Sequence, residues 1–315
     1  MNIPLVSVII PVYNVENWLE RCLNSLRDQQ FKDYEVICID DCSTDNSPKI
    51  IEKFIDSNKD IKFKFIKNSQ NQGISTVRKK GIDLSSGKYI FFLDSDDYLE
   101  KDCLELLTAP LINHPETEVV SGNYRNINST GITVNRLIDL NRNERSNSYG
   151  IMEKAQTWTL WNRLIKRNLI KDLEFPPINN GEDFIIMAIV FYNSHFTTQI
   201  NKVTYNYNCI NLNSIVNNPF NKQNMTDRFK SIEFLQFFFK SDLKAQASLE
   251  IGLVRTYLYL MSKSISLKDL QKIKLPKNLY RYLLKRNLRT KEKIILILKA
   301  LKLNNILFSL YSRRK

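Results

Sequence analysis

Two kinds of apolar run alternate along the first hundred residues. Residues 5–10, 34–39 and 90–93 are short and rich in β-branched and aromatic side chains, as buried strands are, and 62–66 is a further short strand-like run. Between them Val15, Leu19, Cys22, Leu23 and Leu26, and then Ile50, Ile51, Phe54 and Ile55, recur at helical spacing. A third helix spans 75–84 and stops at Ser86 and Gly87. Asn14 is placed to cap the first helix, and Ser43 or Thr44 the second. Residues 62–66 alternate basic and apolar positions, the pattern of an edge strand. This alternation of strand and helix predicts an α/β fold: a doubly wound, mostly parallel sheet flanked by helices, with ligands at the carboxyl ends of the strands.

The pattern then changes. Residues 118–147 mix short β-like runs with Asn, Ser, Thr and Arg, which predicts a hairpin excursion turning near 126–131. Over 157–170, Leu160, Trp161, Leu164, Ile165 and Leu169 fall on one face of an expected helix. A loop rich in Pro, Asn and Gly at 175–181 leads into a helix through Phe184, Ile185, Met187, Ala188 and Phe191, and 202–208 reads as a strand. Beyond 217 the periodicity is helical, with packed helices expected around Phe234, Leu235, Phe237, Phe238 and Phe239 and around Ile251, Val254, Leu258 and Met261. The expected organisation is an α/β domain at 1–216 and a basic α-helical region at 217–315.

Charge separates the two parts. The net charge is +13, yet residues 261–315 hold 16 Lys and Arg against two Asp and Glu, leaving 30 against 31 in the rest. In 291–310, Ile294, Ile295, Leu298, Leu301 and Ile306 gather on one helical face, with basic residues at its edges. Such a helix suits an anionic membrane surface, or packs on the core and leaves its charge in water. Few aromatics interleave with this charge, so no nucleic-acid partner is expected. Five cysteines without a CxxC pair read as reduced thiols. The N-terminus lacks a basic leader, and no apolar run approaches the roughly 18 residues of a membrane span. A cytoplasmic protein is expected, peripheral at most to the inner face of the membrane.

The candidate chemistry lies where strands end. After Leu93 come Asp94, Ser95, Asp96 and Asp97; acids this close repel one another unless a divalent cation and a polar ligand neutralise them. Carboxylates without nearby His or Cys favour magnesium or manganese over zinc. The alternative is an acidic turn with Asp97 capping a following helix. Residues 11–14 and 40–45 would share the same rim. Glu182 and Asp183 open a helix, as a general base or as first-turn acids.

In this order VSVIIPVYNVENWLERCLNSL, YEVICIDDCSTDNS, NQGISTVRKKGIDLSSGKYIFFLDSDDYL and NNGEDF resemble the successive motifs of family 2 glycosyltransferases, which have the GT-A fold. The resemblance implies inverting transfer of a sugar from a nucleotide-diphosphate donor to a hydroxyl of a surface glycan or lipid-linked glycan precursor, assisted by Mn2+ or Mg2+. It places Pro11, Val12, Tyr13 and Asp40 on the nucleobase and ribose, and a carboxylate at Asp40 suits the imide N–H of uracil, hence a UDP-sugar. It places Asp94 and Ser95 on the donor, Asp96 on the metal with Asp94 beside it, and Asp183 as base with Glu182 next in line. Arg78 would contact the base or the diphosphate, unless it is a surface arginine among Lys79 and Lys80. Trp158 would stack on a sugar or sit in the core. Cys42 stands where the family has Gly, and Val77 and Lys79 flank Arg78 where it has Ala and Asn. The rival readings are a non-catalytic GT-A-fold scaffold partner and a nucleotidyltransferase, the latter disfavoured because no Gly-rich, Lys-containing phosphate loop follows the first strand.

Overall fold

The computed structural model describes residues 3–135, 144–153, 158–211, 222–263 and 290–300. The chain divides into two compact units, Met1–Ser148 with Thr157–Asn213, and Tyr149–Gln156 with Ser214–Lys315.

The first unit is built on β1 (Val6–Val12), whose seven residues are all buried. β2 (Tyr34–Asp40) and β4 (Tyr89–Phe92) pair with it in parallel on either side, and β3 (Lys62–Lys67) adds a parallel edge beyond β2. The four strands are the expected ones, and α1 (Glu16–Arg27), α2 (Ser47–Ser57) and α3 (Ile74–Leu84) connect them. Gly81 lets α3 approach the sheet closely, since a Cβ there would come 2.4 Å from the Ile9 side chain. After β4 come β5 (Tyr98–Leu99), α4 (Cys103–Thr108), α5 (Pro110–Asn113) and the hairpin β6 (Val119–Asn128) and β7 (Gly131–Asn135). Then follow α6 (Glu144–Met152), whose residues from Tyr149 belong to the second unit, β8 (Arg163–Lys166), α7 (Glu182–Asn193) and β9 (Thr197–Asn208). The sheet runs β3-β2-β1-β4-β8-β6-β9-β5, with β7 paired to β6. It is α/β, and mixed rather than wholly parallel.

Two local expectations are corrected. Asn14 does not cap α1, nor Ser43 or Thr44 α2. The free N–H groups at the start of α1 are met from the β2–α2 loop and the first residue of α2: Val15 N–H donates to Ser47 Oγ at 3.1 Å and Glu16 N–H to Asp45 Oδ2 at 2.9 Å. In return Glu16 Oε2 accepts the Asn46 N–H at 2.9 Å, so the two helix starts satisfy each other. The second correction concerns 157–170, where a strand and a short 3₁₀ turn (Arg167–Leu169) replace the expected helix in the described residues. Four apolar side chains at 160, 161, 164 and 165 fit either period. What decides is the open edges of β4 and β6, which β8 fills with antiparallel ladders on both sides.

In the second unit α8 (Lys222–Phe238) buries Ile232 and Leu235, and α9 (Leu243–Lys263) buries Leu249, Ile251, Val254, Leu260 and Met261. Asp242 caps α9, its Oδ1 accepting the N–H of Lys244 at 2.9 Å and of Ala245 at 3.0 Å. Phe237, expected in a packed helix, is 74% exposed, and Phe238 is also exposed. In α10 (Thr290–Ala300) Ile295 and Leu296 are buried, but Ile294 and Ile297 face solvent. The rest of the basic stretch, residues 264–289 and 301–315, lies outside the described residues, as does Thr157. No described helix is long and apolar enough to cross a membrane.

Candidate active site

The carboxyl ends of β1, β2 and β4 lie side by side because these strands are neighbours and parallel. At the end of β1, Pro11 and Val12 are buried and Tyr13 is exposed. Asn14 follows in a left-handed conformation, φ +52°, and its Oδ1 accepts the Thr44 N–H at 2.8 Å. At the end of β2, Asp40 is fully buried and accepts the Ser43 N–H at 3.2 Å. Asp41 accepts three donors, Asn68 Nδ2 at 2.8 Å, Gln72 N–H at 2.9 Å and Gly73 N–H at 2.8 Å, and so ties the loop before α3 to the strand end. Cys42 has φ +64°, the left-handed region that glycine enters without cost. A Cβ there carries a steric cost that glycine would not.

After β4 the four residues point in different directions. Asp97 is not a helix cap. It is fully buried, β5 follows it, and its carboxylate accepts the Tyr205 hydroxyl and the Asn208 N–H, each at 2.7 Å. The Tyr205 hydroxyl also accepts the Asp94 N–H at 3.1 Å, so β9 holds the acidic turn from below. Ser95 is buried; Asp96 Oδ2 accepts from Asn211 Nδ2 at 2.8 Å, and its carbonyl accepts from Arg21 Nη2 at 3.3 Å. Beneath lies an aromatic stack: Trp161 is parallel to Tyr205 at 4.7 Å and to Tyr207 at 5.2 Å, with Tyr124 edge-on at 4.8 Å. Helical reading of 157–170 concealed this platform. The alternating Tyr205 and Tyr207 of a strand were its signal.

The starts of α3 and α7 meet. Gly181, φ +109°, opens α7 in a conformation suited to glycine, and Gly73, φ +83°, sits where a Cβ would fall 2.6 Å from Asn179 Oδ1. Ser75 Oγ donates to the Pro176 carbonyl at 2.6 Å. Arg78, 3% exposed, extends from α3 between three acids. Its Nη2 bonds Asp94 Oδ1 at 2.8 Å, and its Nη1 bonds Glu182 Oε1 at 2.6 Å and Asp183 Oδ1 at 2.5 Å. Asp183 Oδ2 accepts the Leu160 N–H at 3.3 Å. Trp158, half-buried, meets Phe184 edge-on at 5.9 Å.

Burial, then Asp183, pushes Glu182 up to about 7. Burial also raises Asp183, against the pull of Arg78. Asp96 is raised by burial and then by Asp94. A buried carboxylate that resists ionisation beside a second acid, as Asp96 does beside Asp94, fits a divalent cation, which would reverse that resistance. Among the described residues no three His, Cys, Asp or Glu group to cage a metal by themselves. Hard oxygen donors from two residues suit magnesium or manganese completed by phosphate and water.

Residues 7–174 match the family model described as glycosyl transferase family 2. The chain is 32% identical over 213 residues to glycosyltransferase GlyA of Streptococcus pneumoniae, covering 64% of this chain and 30% of that protein. It is 32% identical over 226 residues to the putative glycosyltransferase EpsH of Bacillus subtilis, covering 69% of this chain and 64% of the relative. The chain thus spans less than two thirds of either. Among solved structures, Staphylococcus aureus TarS superposes with a TM-score of 0.66 at 21% identity, over 96% of this chain and 54% of TarS. TarS 1–349, solved in complex with UDP-GlcNAc, superposes with a TM-score of 0.58 at 20% identity, over 98% of this chain and 92% of that one. These likenesses bear on the fold.

Proposed function

The chain belongs to glycosyl transferase family 2, and from that premise we propose that it is an inverting glycosyltransferase moving a sugar from a nucleotide-diphosphate donor to an acceptor hydroxyl. One observation carries the reading. Arg78 bonds Asp94, at the end of β4, and Asp183, at the start of α7, so the acid suited to the donor and the acid suited to a base share one rim.

In this reading Pro11, Val12, Tyr13 and Asp40 seat the nucleobase and ribose, with Asp94 and Ser95 beside the diphosphate. The carboxylate of Asp40 favours uracil, and the UDP-GlcNAc bound by TarS agrees with a UDP-sugar. Asp94 and Asp96 would hold manganese or magnesium, which when bound supplies positive charge to the departing diphosphate. Asp183 takes the proton of the acceptor hydroxyl as it attacks the anomeric carbon, with Glu182 behind it. A single displacement needs base and leaving group on opposite sides of the sugar; in this reading the base comes from α7 and the seat of the leaving group from the end of β4. The acceptor is a surface glycan or lipid-linked precursor. The basic C-terminal stretch favours an anionic membrane face on the cytoplasmic side, where such precursors are presented.

A donor screen tests this. Nucleoside diphosphate release is measured for several nucleotide sugars, with and without manganese. Metal-stimulated release from a UDP-sugar is expected; no release from any donor returns the chain to a non-catalytic scaffold of the same fold.

A further inference from the structure

The resemblance assigns Arg78 to the donor, but its surroundings describe another task. Both terminal nitrogens of the guanidinium are engaged by carboxylates, Nη2 by Asp94 and Nη1 by Glu182 and Asp183, all within 2.8 Å. The side chain is 3% exposed, and its root is fixed: Gly73 abuts Asn179, and Ser75 bonds the Pro176 carbonyl at 2.6 Å. One guanidinium thus stands among three carboxyl groups contributed by two elements far apart in sequence. A planar fork can bridge carboxylates lying in different directions, whereas an ammonium is a compact point charge. Asp183 is further oriented through Oδ2 by the Leu160 N–H at 3.3 Å.

We propose that Arg78 is a positioning residue: it fixes the Asp183 carboxylate and registers it against Asp94, so that base and donor seat keep one spacing, and it does not itself bind the donor. This rests on reading Asp183 as the base. Small displacements between reacting groups are costly to the chemical step and need not affect ground-state binding. Loss of Arg78 would therefore fall on kcat.

The experiment compares Arg78→Lys and Arg78→Gln with the parent in steady-state kinetics, in calorimetric titration with UDP and manganese, and in the pH profile of kcat/KM. Arg78→Gln leaves buried acids without their counter-charge; where it does not fold, Arg78→Lys carries the comparison. The expected result is a fall in kcat of about 100-fold with donor KM and UDP Kd within about threefold of the parent. The charges facing Asp183 are Arg78, Asp94, Glu182 and Arg163, and the pull of Arg78 keeps its carboxyl lower than burial alone would. In Arg78→Gln the acid limb of the profile should therefore move to higher pH. A tenfold or larger rise in UDP Kd overturns the proposal in favour of donor contact. A lowered melting temperature with kcat, KM and acid limb unchanged overturns it in favour of a purely structural role. Asp183→Asn serves as the control: if it transfers at the parent rate, it is the base assignment that has failed.

Discussion

Replacing Glu182 by Gln should change how the stability of the first unit depends on pH. The Glu182 carboxyl is buried and pushed up to about 7 by that burial and by Asp183, against an ordinary value of 4.5. For an acid raised on folding, the folded state binds the extra proton between those two values. Stability is therefore fully present below the unfolded value and is lost as pH rises through the folded one. A span of about 2.5 units at 1.36 kcal/mol each gives a loss of about 3 kcal/mol, most of it between about pH 5 and pH 8. Glutamine keeps the shape and an oxygen for Arg78 but cannot titrate. The variant should gain about 2–3 kcal/mol relative to the parent on going from about pH 5 to pH 8, whatever its offset at one pH. Urea unfolding read by tryptophan fluorescence is the assay, since Trp18, Trp158 and Trp161 all lie in the first unit. A variant-to-parent difference constant to within about 0.5 kcal/mol across that range would refute the reasoning, because Glu182 would then titrate as an ordinary carboxyl.

Three further outcomes are expected. Asp96→Asn should abolish manganese-dependent UDP binding in calorimetry, with a smaller loss for Asp94→Asn; unchanged affinity in the Asp96 variant removes the metal assignment. Cys42→Gly relieves a left-handed backbone at φ +64°, offset in part by a more flexible unfolded chain, and should be neutral to stabilising by about 1 kcal/mol in urea unfolding. Tyr205→Phe takes one of the two described donors from the buried Asp97 and should cost about 1–3 kcal/mol; a neutral result would mean that Asp97 does not need that hydroxyl.

The parallel half of the sheet was legible because β1, β2 and β4 are buried, mostly apolar runs, β3 alternates as an edge strand does, and the helices between them carry clear periodicity. The site acids were legible because polar residues crowd abruptly at strand ends. What escaped depends on partners distant in sequence. The caps of α1 come from Asp45 and Ser47, not from Asn14, since the choice among nearby polar side chains is made by tertiary approach. β8 escaped because its period is ambiguous and its ladder partners are β4 and β6. Asp97 is set apart from Asp96 by facing Tyr205 and the Asn208 N–H, more than a hundred residues away. Arg78 was visible as a basic residue near strand ends, but its bonds to Glu182 and Asp183 required α7 to be laid against α3.

The central claim, transfer of a sugar with Asp183 as base, is tested most directly by Asp183→Asn, with sugar transfer and UDP binding measured on the same preparation. The account predicts transfer slowed by about 10²–10⁴-fold while UDP affinity in manganese stays at the parent value. Transfer at the parent rate would contradict it and leave Asp183 as a helix-start acid bonded to Arg78.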